Sequence, residues 1–157
     1  MSEISKLTVT TPIGLLQIIA TDTAIVSAKP TDHEENIVGN GAANKLAQEC
    51  KAELAEYFDK KKKKFDLPLK QEGTQFQKKV WQELKQIPYG ETKTYGEIAK
   101  LIDKPKASRA IGMANHNNSI MILVPCHRVV GADGSLTGYA YGIKIKKFLL
   151  EFERKNK

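Results

Sequence analysis

Apolar and polar positions in the first part of the chain change from a period of two to a period near that of a helix. Alternation through residues 7–20, interrupted by turn-forming residues at 11–14, predicts two strands joined by a tight turn. The same reasoning predicts a third strand near residues 24–26. Residues 44–58 carry apolar side chains at helical spacing, and Cys50 lies on that stripe. The pattern therefore predicts a small sheet followed by an amphipathic helix that packs through Cys50.

Start and stop signals in the second half predict two short helices joined by a tight turn. Thr94 and Glu97 have the spacing of a capping box, which predicts a helix over residues 95–102. The Asp-Lys-Pro-Lys segment that follows breaks this helix, and a second helix is predicted from about Ala107. Two short helices in this order are typical of a helix-turn-helix.

The second of these helices is predicted to have one buried and one exposed face. Its predicted buried residues recur at helical spacing: Ala107, Ala110, Ile111 and Ala114. Its predicted exposed residues are mostly small or slender: Arg109, Gly112, Met113 and His116. Such a surface suits close approach to DNA, but it lacks the density of Asn, Gln and Arg expected of a sequence reader in the major groove.

Two apolar patterns near the end of the chain predict further core elements. The apolar run at residues 120–124, closed by Pro125, predicts a buried strand. The predicted buried stripe of the final helix consists of Ile145, Phe148, Leu149 and Phe152. Glu153 borders this stripe one turn beyond Leu149, whereas Glu151 points away from it.

Composition indicates a globular and basic protein. The 157 residues are 41% hydrophobic and 27% charged, with a net charge of +7 and a pI near 9.3. This balance is compatible with a nucleic acid partner, although many basic proteins bind nothing acidic. The lysine run at 60–64 is better explained as a solvated connector than as a DNA patch. It marks the predicted boundary between a strand-rich structural domain, residues 1–70 with the connector, and a second domain, residues 71–157.

Cysteine and histidine content limits the metal and redox chemistry. Cys50 and Cys126 make no disulfide framework, and with only three histidines a closed zinc site with Cys-x-x-Cys spacing is excluded. The first residues have no apolar signal core, and no apolar run approaches the length of a membrane span. We therefore expect a cytoplasmic protein without a metal or a membrane anchor, in which Cys126 is reduced.

Residues 125–129, Pro-Cys-His-Arg-Val, are the strongest candidate for chemistry. They place Cys126 at the end of the predicted buried strand, with His127 directly beside it. A thiolate attacks where a thiol does not, so a neighbouring basic group favours a nucleophilic role. A free cysteine is more often a packing residue, and the pair alone leaves both interpretations open. Arg128 is interpreted as structural and is expected to pair with a nearby carboxylate such as Asp133.

The sequence around this pair resembles the O6-alkylguanine-DNA alkyltransferases, which transfer an alkyl group from guanine to their own cysteine. Besides Pro-Cys-His-Arg-Val, the matching segments follow the family's order: 76–77, 80–81, 87–92, 94–99, 109–115, 118, 131–134, 136–140 and 149–153. The amino-terminal half matches loosely. The resemblance implies an α/β (α+β) fold. Its parts would be a small strand-rich ribonuclease-H-like N-terminal domain and a mainly helical C-terminal domain with a winged helix-turn-helix.

The resemblance also implies the residues of the reaction. Cys126 is the implied nucleophile, His127 removes its proton through a water, and Glu153 holds the imidazole. Asn118 matches the family's buried hinge asparagine, although Ser119 stands where relatives commonly have proline. The implied substrate pocket is formed by Pro125, Val129, Tyr139, Ala140 and Tyr141. No cofactor is implied, because the thiol is both catalyst and acceptor.

The implied partner is double-stranded DNA containing O6-alkylguanine, bound by a monomer through the minor groove. Arg109 takes the place of the flipped nucleotide in the stack, and Tyr95 helps to rotate that nucleotide out. Flipping is required because the O6-alkyl carbon cannot meet a buried thiol while the base stays stacked. Tyr95 is also the expected donor to O6, with backbone N–H groups near 139–140. The implied DNA-binding residues are Arg109, Tyr95, Ala107, Gly112, Met113 and Asn115.

Three alternative functions remain open. A non-enzymatic lesion-binding relative would replace the nucleophile, which this chain retains within residues 125–127. A winged-helix regulator would bind a particular duplex sequence and would not need Cys126. A cysteine hydrolase usually takes its cysteine and histidine from separate segments. Transfer of a methyl group from DNA to the protein would distinguish the alkyltransferase from all three.

Overall fold

The computed structural model describes residues 3–136 and 139–157. Met1, Ser2, Thr137 and Gly138 lie outside the described residues. The first two belong to the start of the chain, where no signal core is predicted, and the other two belong to the matching segment 136–140. Contacts divide the chain into two compact units, Met1–Gln71 and Glu72–Lys157. The first unit is strand-rich and the second is mainly helical, which confirms the predicted mixed α/β class.

Three antiparallel strands form the sheet of the first unit. They are β1 (Ser5–Thr11), β2 (Gly14–Ala20) and β3 (Ile25–Pro30), in that spatial order. The predicted turn closes the β1–β2 hairpin at the pair Thr11 and Gly14. Gly14 has a φ of 102°, a conformation that favours glycine. Alternate residues of β2 are buried, namely Leu16, Ile18 and Ala20.

One long helix, α1 (Gly41–Phe58), packs against β1 and β2. It begins earlier than predicted because Asn40 caps it, with its side chain accepting a hydrogen bond from Ala43 N at 2.9 Å. The predicted stripe is confirmed at Cys50 and Leu54, which are fully buried. Cys50 is therefore a core residue, and burial raises its pKa to about 12.

The lysine run at 60–64 forms a mostly exposed loop inside the first unit. After this loop the chain returns to the sheet. There the Ile25 N–H donates to Pro68 O at 2.8 Å and the Lys70 N–H donates to Ile25 O at 2.9 Å. The run is solvated, as predicted, but the segment after it still belongs to the first unit.

The second unit combines helices with one short pair of parallel strands. Its helices are α2 (Gln75–Leu84), α3 (Tyr95–Leu101), α4 (Ser108–His116), a 3₁₀ turn (Cys126–Arg128) and α5 (Ile143–Lys155). Its strands are β4 (Lys93–Thr94) and β5 (Val129–Val130), and their pairing places the start of α3 beside the end of the 3₁₀ turn. In the described parts of both units, no helix has the length and apolar character to cross a membrane.

Helices α3 and α4 pack together in the order predicted for a helix-turn-helix. The capping box is confirmed, because Thr94 Oγ1 accepts from Glu97 N at 3.1 Å and Glu97 Oε1 accepts from Thr94 N at 2.9 Å. The helix ends where Asp103 adopts a φ of 60° and the Lys104 N–H donates to Ala99 O at 2.8 Å. This left-handed cap redirects the chain toward α4.

The buried face of α4 is rotated from the predicted one. Its buried residues are Ile111, Ala114 and Asn115. Ala110, predicted to be buried, is exposed, and Ala107 is only half-buried. The rotation follows from packing against α2, where Trp81 Nε1 donates to Ala114 O at 2.8 Å. The small apolar residues of this helix are spread around it, so their spacing alone does not indicate which face packs against α2.

The buried face of α5 is more polar than predicted. Its buried residues are Lys146, Leu149 and Glu153. Phe148, predicted in the core, is 38% exposed and stacks on Phe152 with ring centroids 5.9 Å apart. Glu151 is exposed, as predicted. The prediction assumed that apolar residues mark the buried face, whereas a lysine and a glutamate with internal hydrogen bonds occupy it.

The predicted strand at 120–124 is wrong: this run forms a buried turn. All of its residues are buried, but Ile122 has a φ of 70° and the Val124 N–H donates back to Ile120 O at 3.0 Å. Asn118 holds the turn, since its Nδ2 donates to Val124 O at 2.8 Å and its Oδ1 accepts from Ile120 N at 3.1 Å. An apolar run without periodicity does not distinguish a buried strand from a buried turn.

Candidate active site

Cys126 begins the 3₁₀ turn directly after the turn at 120–124, and its side chain is 1% exposed. Its N–H donates to Val124 O at 2.7 Å, and its Sγ lies 3.7 Å from the Tyr139 hydroxyl oxygen. Burial raises the pKa of the Cys126 thiol, and hydrogen bonds with Asn118 and Tyr139 oppose that effect. Cys126 is therefore a fixed thiol that needs further help to become a thiolate.

His127 is fully buried, and its two ring nitrogens have different surroundings. Nε2 lies 2.7 Å from Oε2 of Glu153, whereas Nδ1 has no hydrogen-bond partner among the described residues. Burial lowers the pKa of His127, so the ring is neutral at neutral pH. The carboxylate then places the single ring proton on Nε2. Nδ1 consequently carries a lone pair that can accept a proton.

Both carboxylate oxygens of Glu153 accept hydrogen bonds inside the second unit. Arg128 donates from Nε to Oε1 at 2.8 Å and from Nη2 to Oε2 at 3.0 Å, a bidentate pair. The Gly90 N–H donates to Oε1 at 3.3 Å, and Arg128 Nη1 donates to Ile87 O at 2.7 Å. Burial by itself raises the pKa of Glu153, but His127 and Arg128 together hold it far below its ordinary value. Glu153 is therefore an anion that fixes the positions of both neighbours.

The predicted pairing of Arg128 with Asp133 is wrong, because Arg128 pairs with Glu153. Asp133 is exposed, and its Oδ1 accepts a hydrogen bond from the Ser135 N–H at 3.0 Å. The structural role expected for Arg128 is supported by this contact. Closeness in sequence favoured Asp133, but the packing of α5 against the 3₁₀ turn supplies the carboxylate.

Two buried asparagines connect α4 to the active-site turn. Asn118 closes the turn before Cys126, and Ser119 beside it is half-buried. Asn115 was predicted on the DNA-facing surface, but it is 3% exposed and its Nδ2 donates to Cys126 O at 3.2 Å. The last turn of α4 faces the core, so Asn115 supports the backbone of Cys126 and is not available at the surface.

Tyr95, the first residue of α3, lies near the thiol. It is half-buried, and both burial and the neighbouring Cys126 raise the pKa of its hydroxyl, which therefore stays protonated at neutral pH. Helix α4 passes beside it, since a Cβ added to Gly112 would lie 3.9 Å from Cε1 of Tyr95. The predicted DNA-facing residues of the second helix that remain accessible are Ala107, Arg109, Gly112 and Met113.

The predicted pocket residues are buried to different extents, and the segment from Tyr139 to Tyr141 is called the lip below. The buried members are Pro125 and Val129. In the lip, Tyr139 is 7% exposed and Tyr141 is half-buried, and their rings meet edge to face with centroids 5.5 Å apart. Ala140 between them is exposed. The Tyr141 hydroxyl donates to the backbone oxygen of Asn118, so this side chain ties the lip to the segment after α4.

Lys146 is a buried residue of this region that sequence reasoning did not identify. Its Nζ donates to Val129 O at 2.5 Å and lies 5.5 Å from the ring centroid of Tyr139. Burial lowers the pKa of its ammonium, and a negative charge on Cys126 opposes that shift when the thiol ionises. One sequence signal was available: Lys146 lies about two helical turns before Glu153, which puts both on one face of α5.

Two family models match the sequence over nearly its whole length. The model described as the DNA binding domain of 6-O-methylguanine DNA methyltransferase matches residues 75–155. The model described as the ribonuclease-like domain of the same enzyme matches residues 4–71. The two matches fall within the two compact units, one in each.

Curated relatives named methylated-DNA–protein-cysteine methyltransferase have similar sequences. The protein of Methanosarcina acetivorans is 61% identical over 106 residues, which is 68% of this chain and 68% of that protein. The protein of Mycolicibacterium paratuberculosis is 42% identical over 151 residues, 95% of this chain and 92% of that protein.

Solved structures from Mycobacterium tuberculosis share the fold. The O6-methylguanine methyltransferase superposes with a TM-score of 0.85 at 39% identity, covering 98% of this chain and 94% of that one. The structure of the same organism's OGT in complex with DNA superposes with a TM-score of 0.83 at 41% identity, covering 95% of this chain and 92% of that one.

Proposed function

The chain belongs to the 6-O-methylguanine DNA methyltransferase family, and from that premise we propose that it repairs O6-alkylguanine in DNA by moving the alkyl group onto Cys126. The observation that carries the proposal is the buried Cys126 next to a His127 whose ring is set by Glu153. Neither a lesion-binding protein nor a transcriptional regulator has a need for a buried thiol beside a fixed base.

Activation of the thiol uses the free lone pair of His127. In the proposed reaction the Cys126 proton passes through a water to Nδ1, and the imidazolium formed is stabilised by Glu153. The thiolate then attacks the alkyl carbon. The S–C bond forms, the C–O6 bond breaks, and the bonding electron pair moves to O6. The thioether is stable, so each molecule reacts once.

The developing charge on O6 needs a hydrogen-bond donor. Tyr95 suits this role because it lies near Cys126 and keeps its proton at neutral pH. Backbone N–H groups at 139–140 are proposed as further donors. The restored guanine, which stays in the DNA, takes up one proton from solvent, and His127 gives the proton it received from Cys126 back to solvent. Asn118 and Asn115 act on the same step indirectly, by holding the turn that carries the sulfur.

DNA binding is assigned to the accessible face of α4. We place Arg109 in the base stack and Met113, Gly112 and Ala107 against the minor groove, with the target base rotated toward the thiol. The net charge of +7 supports an electrostatic, largely sequence-independent contribution that weakens with salt. Both activities are assigned to residues 71–157, and a structural role to residues 1–70.

The working environment proposed for the protein follows from its chemistry. A reducing cytosol would keep Cys126 as the thiol that the reaction needs. A monomer is sufficient, because every residue assigned to the reaction lies in one unit of one chain.

The proposal is tested by intact mass spectrometry after incubation with duplex DNA containing O6-methylguanine. The mass should rise by one methyl group per molecule, and peptide mapping should place it on Cys126. Cys50 should remain unmodified, since it is fully buried and burial raises its pKa to about 12. A Cys126→Ser control should keep its mass. Several turnovers per molecule, or a methylated control, would refute the proposal.

Tyr141 is expected to limit the size of the alkyl group. Its ring packs against Tyr139, whose hydroxyl oxygen lies 3.7 Å from Sγ of Cys126, and this puts Tyr141 beside the reacting centre. Fitting a bulky group against a packed ring costs about 1–3 kcal/mol, which is roughly five- to 150-fold in rate. We therefore expect Tyr141→Gly to react faster than the parent with free O6-benzylguanine, with methyl repair retained.

The matched control for this comparison is Tyr141→Phe, which keeps the ring and loses the hydrogen bond to Asn118. It should react with O6-benzylguanine as slowly as the parent does. If Tyr141→Gly shows no gain while it repairs methyl lesions normally, Tyr141 does not restrict the pocket.

A further inference from the structure

Lys146 is a fully buried cation with no carboxylate partner among the described residues. Its ammonium donates to Val129 O at 2.5 Å, a contact that satisfies a proton but brings no negative charge. The buried carboxylate on the same face of α5, Glu153, is already engaged by Arg128 and His127. Burial of an ammonium without a counter-ion is costly, so this position needs an explanation.

Among the described charged groups around the site, positive charges outnumber negative charges by one. Arg128 and Glu153 form a bidentate pair and cancel each other. His127 is neutral at neutral pH because burial lowers its pKa. Lys146 is then a buried positive charge that nothing described in the resting site balances. Its field favours any neighbouring group that can become an anion.

The structure connects that charge to the sulfur through Tyr139. The Lys146 ammonium lies 5.5 Å from the centroid of the Tyr139 ring, and the Tyr139 hydroxyl oxygen lies 3.7 Å from Sγ of Cys126. A cation held against the ring is attracted to it and polarises the phenol, which strengthens its O–H as a donor. A thiolate at Cys126 would accept that hydrogen bond and supply the missing negative charge.

We propose that Lys146 is the counter-charge of the Cys126 thiolate, acting through its field and through Tyr139 as a positioning residue that does not touch the lesion. This inference rests on the proposed function, in which Cys126 is the nucleophile. The proton lost by Cys126 goes to His127, and the sulfur keeps the electron pair. Alkyl transfer then converts the thiolate into a neutral thioether, after which Lys146 again lacks a counter-charge.

Other ionisable groups around the sulfur do not replace Lys146 in this role. The ionisable side chains of this region are His127 and Arg128 of the 3₁₀ turn, Glu153 and Lys146 of α5, Tyr95 of α3, and Tyr139 and Tyr141 of the lip. Tyr95 and Tyr141 keep their protons at neutral pH, since burial raises their pKa values. Arg128 is committed to Glu153. Among the described residues, Lys146 is thus the positive charge that is available to stabilise an ionised Cys126.

The test measures how fast iodoacetamide alkylates Cys126 between about pH 5 and 10, with the modified peptide quantified by mass spectrometry. In Lys146→Met, which keeps the length and loses the charge, the apparent pKa of Cys126 should rise by about one unit or more. That corresponds to about tenfold slower alkylation at neutral pH, recovering at high pH. In Lys146→Arg, which keeps the charge, the apparent pKa of Cys126 should stay closer to that of the parent. Lys147 is an exposed lysine on the same helix, and Lys147→Met should leave the apparent pKa of Cys126 at the parental value.

A second measurement on the parent protein covers the case in which Lys146→Met does not fold. The Lys146 ammonium is titrated by NMR before and after iodoacetamide has converted Cys126 to a neutral thioether. Its pKa should fall after the modification, because the thiolate has been removed. A folded Lys146→Met with the parental pH profile, or a Lys146 pKa unchanged by modification, would overturn the proposal.

The same experiment separates this inference from the proposed function. Alkylation by iodoacetamide needs no DNA, so it reports on Cys126 and Lys146 even in a protein that does not repair methylated DNA. Absence of methyl transfer with a shifted pH profile would refute the proposed function alone. Normal methyl transfer with an unshifted profile would refute the role of Lys146 alone.

Discussion

Replacing Glu153 with glutamine is expected to destabilise the second unit by about 3–5 kcal/mol, the usual cost of removing one partner of a buried ion pair. Arg128 would lose its bidentate carboxylate and become a buried cation without an anion. Whole domains are stable by only about 5–15 kcal/mol, so the loss should be obvious in urea denaturation. Glu151→Gln is the matched control, because Glu151 is exposed on the same helix, and it should denature like the parent.

The difference in unfolding free energy between the parent and Glu153→Gln should depend on pH in a defined direction. The pKa of Glu153 in the folded protein lies far below the value of about 4.3 expected in the unfolded chain. A depressed pKa contributes stability that is complete above the unfolded value and is lost as the pH falls toward the folded value. The difference between parent and Glu153→Gln should therefore be constant above about pH 5 and shrink below about pH 4. An equal difference at all these pH values would contradict the ionised pair.

Glu153→Gln should also slow methyl transfer at neutral pH. Without the carboxylate, His127 loses the group that fixes its tautomer and that stabilises its protonated form. Partial recovery is expected at higher pH, where Cys126 ionises without help from a base. If a folded variant reacts at the parental rate between about pH 6 and 9, Glu153 has no part in activating the thiol.

Arg109→Ala is expected to slow repair of duplex DNA by roughly thirtyfold while leaving the reaction with a free modified base almost unchanged. Unstacking a base costs a few kcal/mol, and a side chain that fills the gap offsets part of that cost. A loss of about 2 kcal/mol in the transition state corresponds to that factor. Arg109 is exposed on α4 and is not among the residues in contact with the thiol, so the chemistry itself should continue.

Single-turnover rates with methylated duplex and with free O6-alkylguanine decide this prediction. Arg154→Ala is the matched control, because it removes the same charge from an exposed position on α5. It should change duplex repair little beyond a small, salt-dependent loss. Equal losses on the two substrates would remove Arg109 from base flipping and would indicate a general defect of the site.

Short-range signals were sufficient for much of the fold. The β1–β2 hairpin follows from alternation on either side of a turn that ends in Gly14. The start of α3 follows from Thr94 and Glu97, whose hydrogen bonds join residues three positions apart. The pairing of Cys126 with His127 is visible because the two are adjacent. In each case the interacting groups are close in sequence, so local chemistry determines the result.

Tertiary packing decided which polar groups meet inside the second unit. Arg128 had an acidic residue nearby in sequence, but α5 packs on the 3₁₀ turn and brings Glu153 to it. Helix α4 packs against α2 and α3 with Asn115 buried and Ala110 exposed, the reverse of the predicted arrangement. No sequence pattern identified Lys146, and only the tertiary structure shows that it is buried against Val129 and Tyr139.

The sequence by itself therefore determined the β1–β2 hairpin, the cap of α3 and the position of the reactive pair, because each depends on residues within a few positions of one another. The polar contacts around Cys126 depended on the tertiary structure. A buried charge is tolerated only where distant segments supply its hydrogen bonds and counter-charges. The spacing of apolar residues along the sequence does not indicate which distant groups those are. The burial of Lys146 and Glu153 on a face expected to be apolar is the clearest consequence.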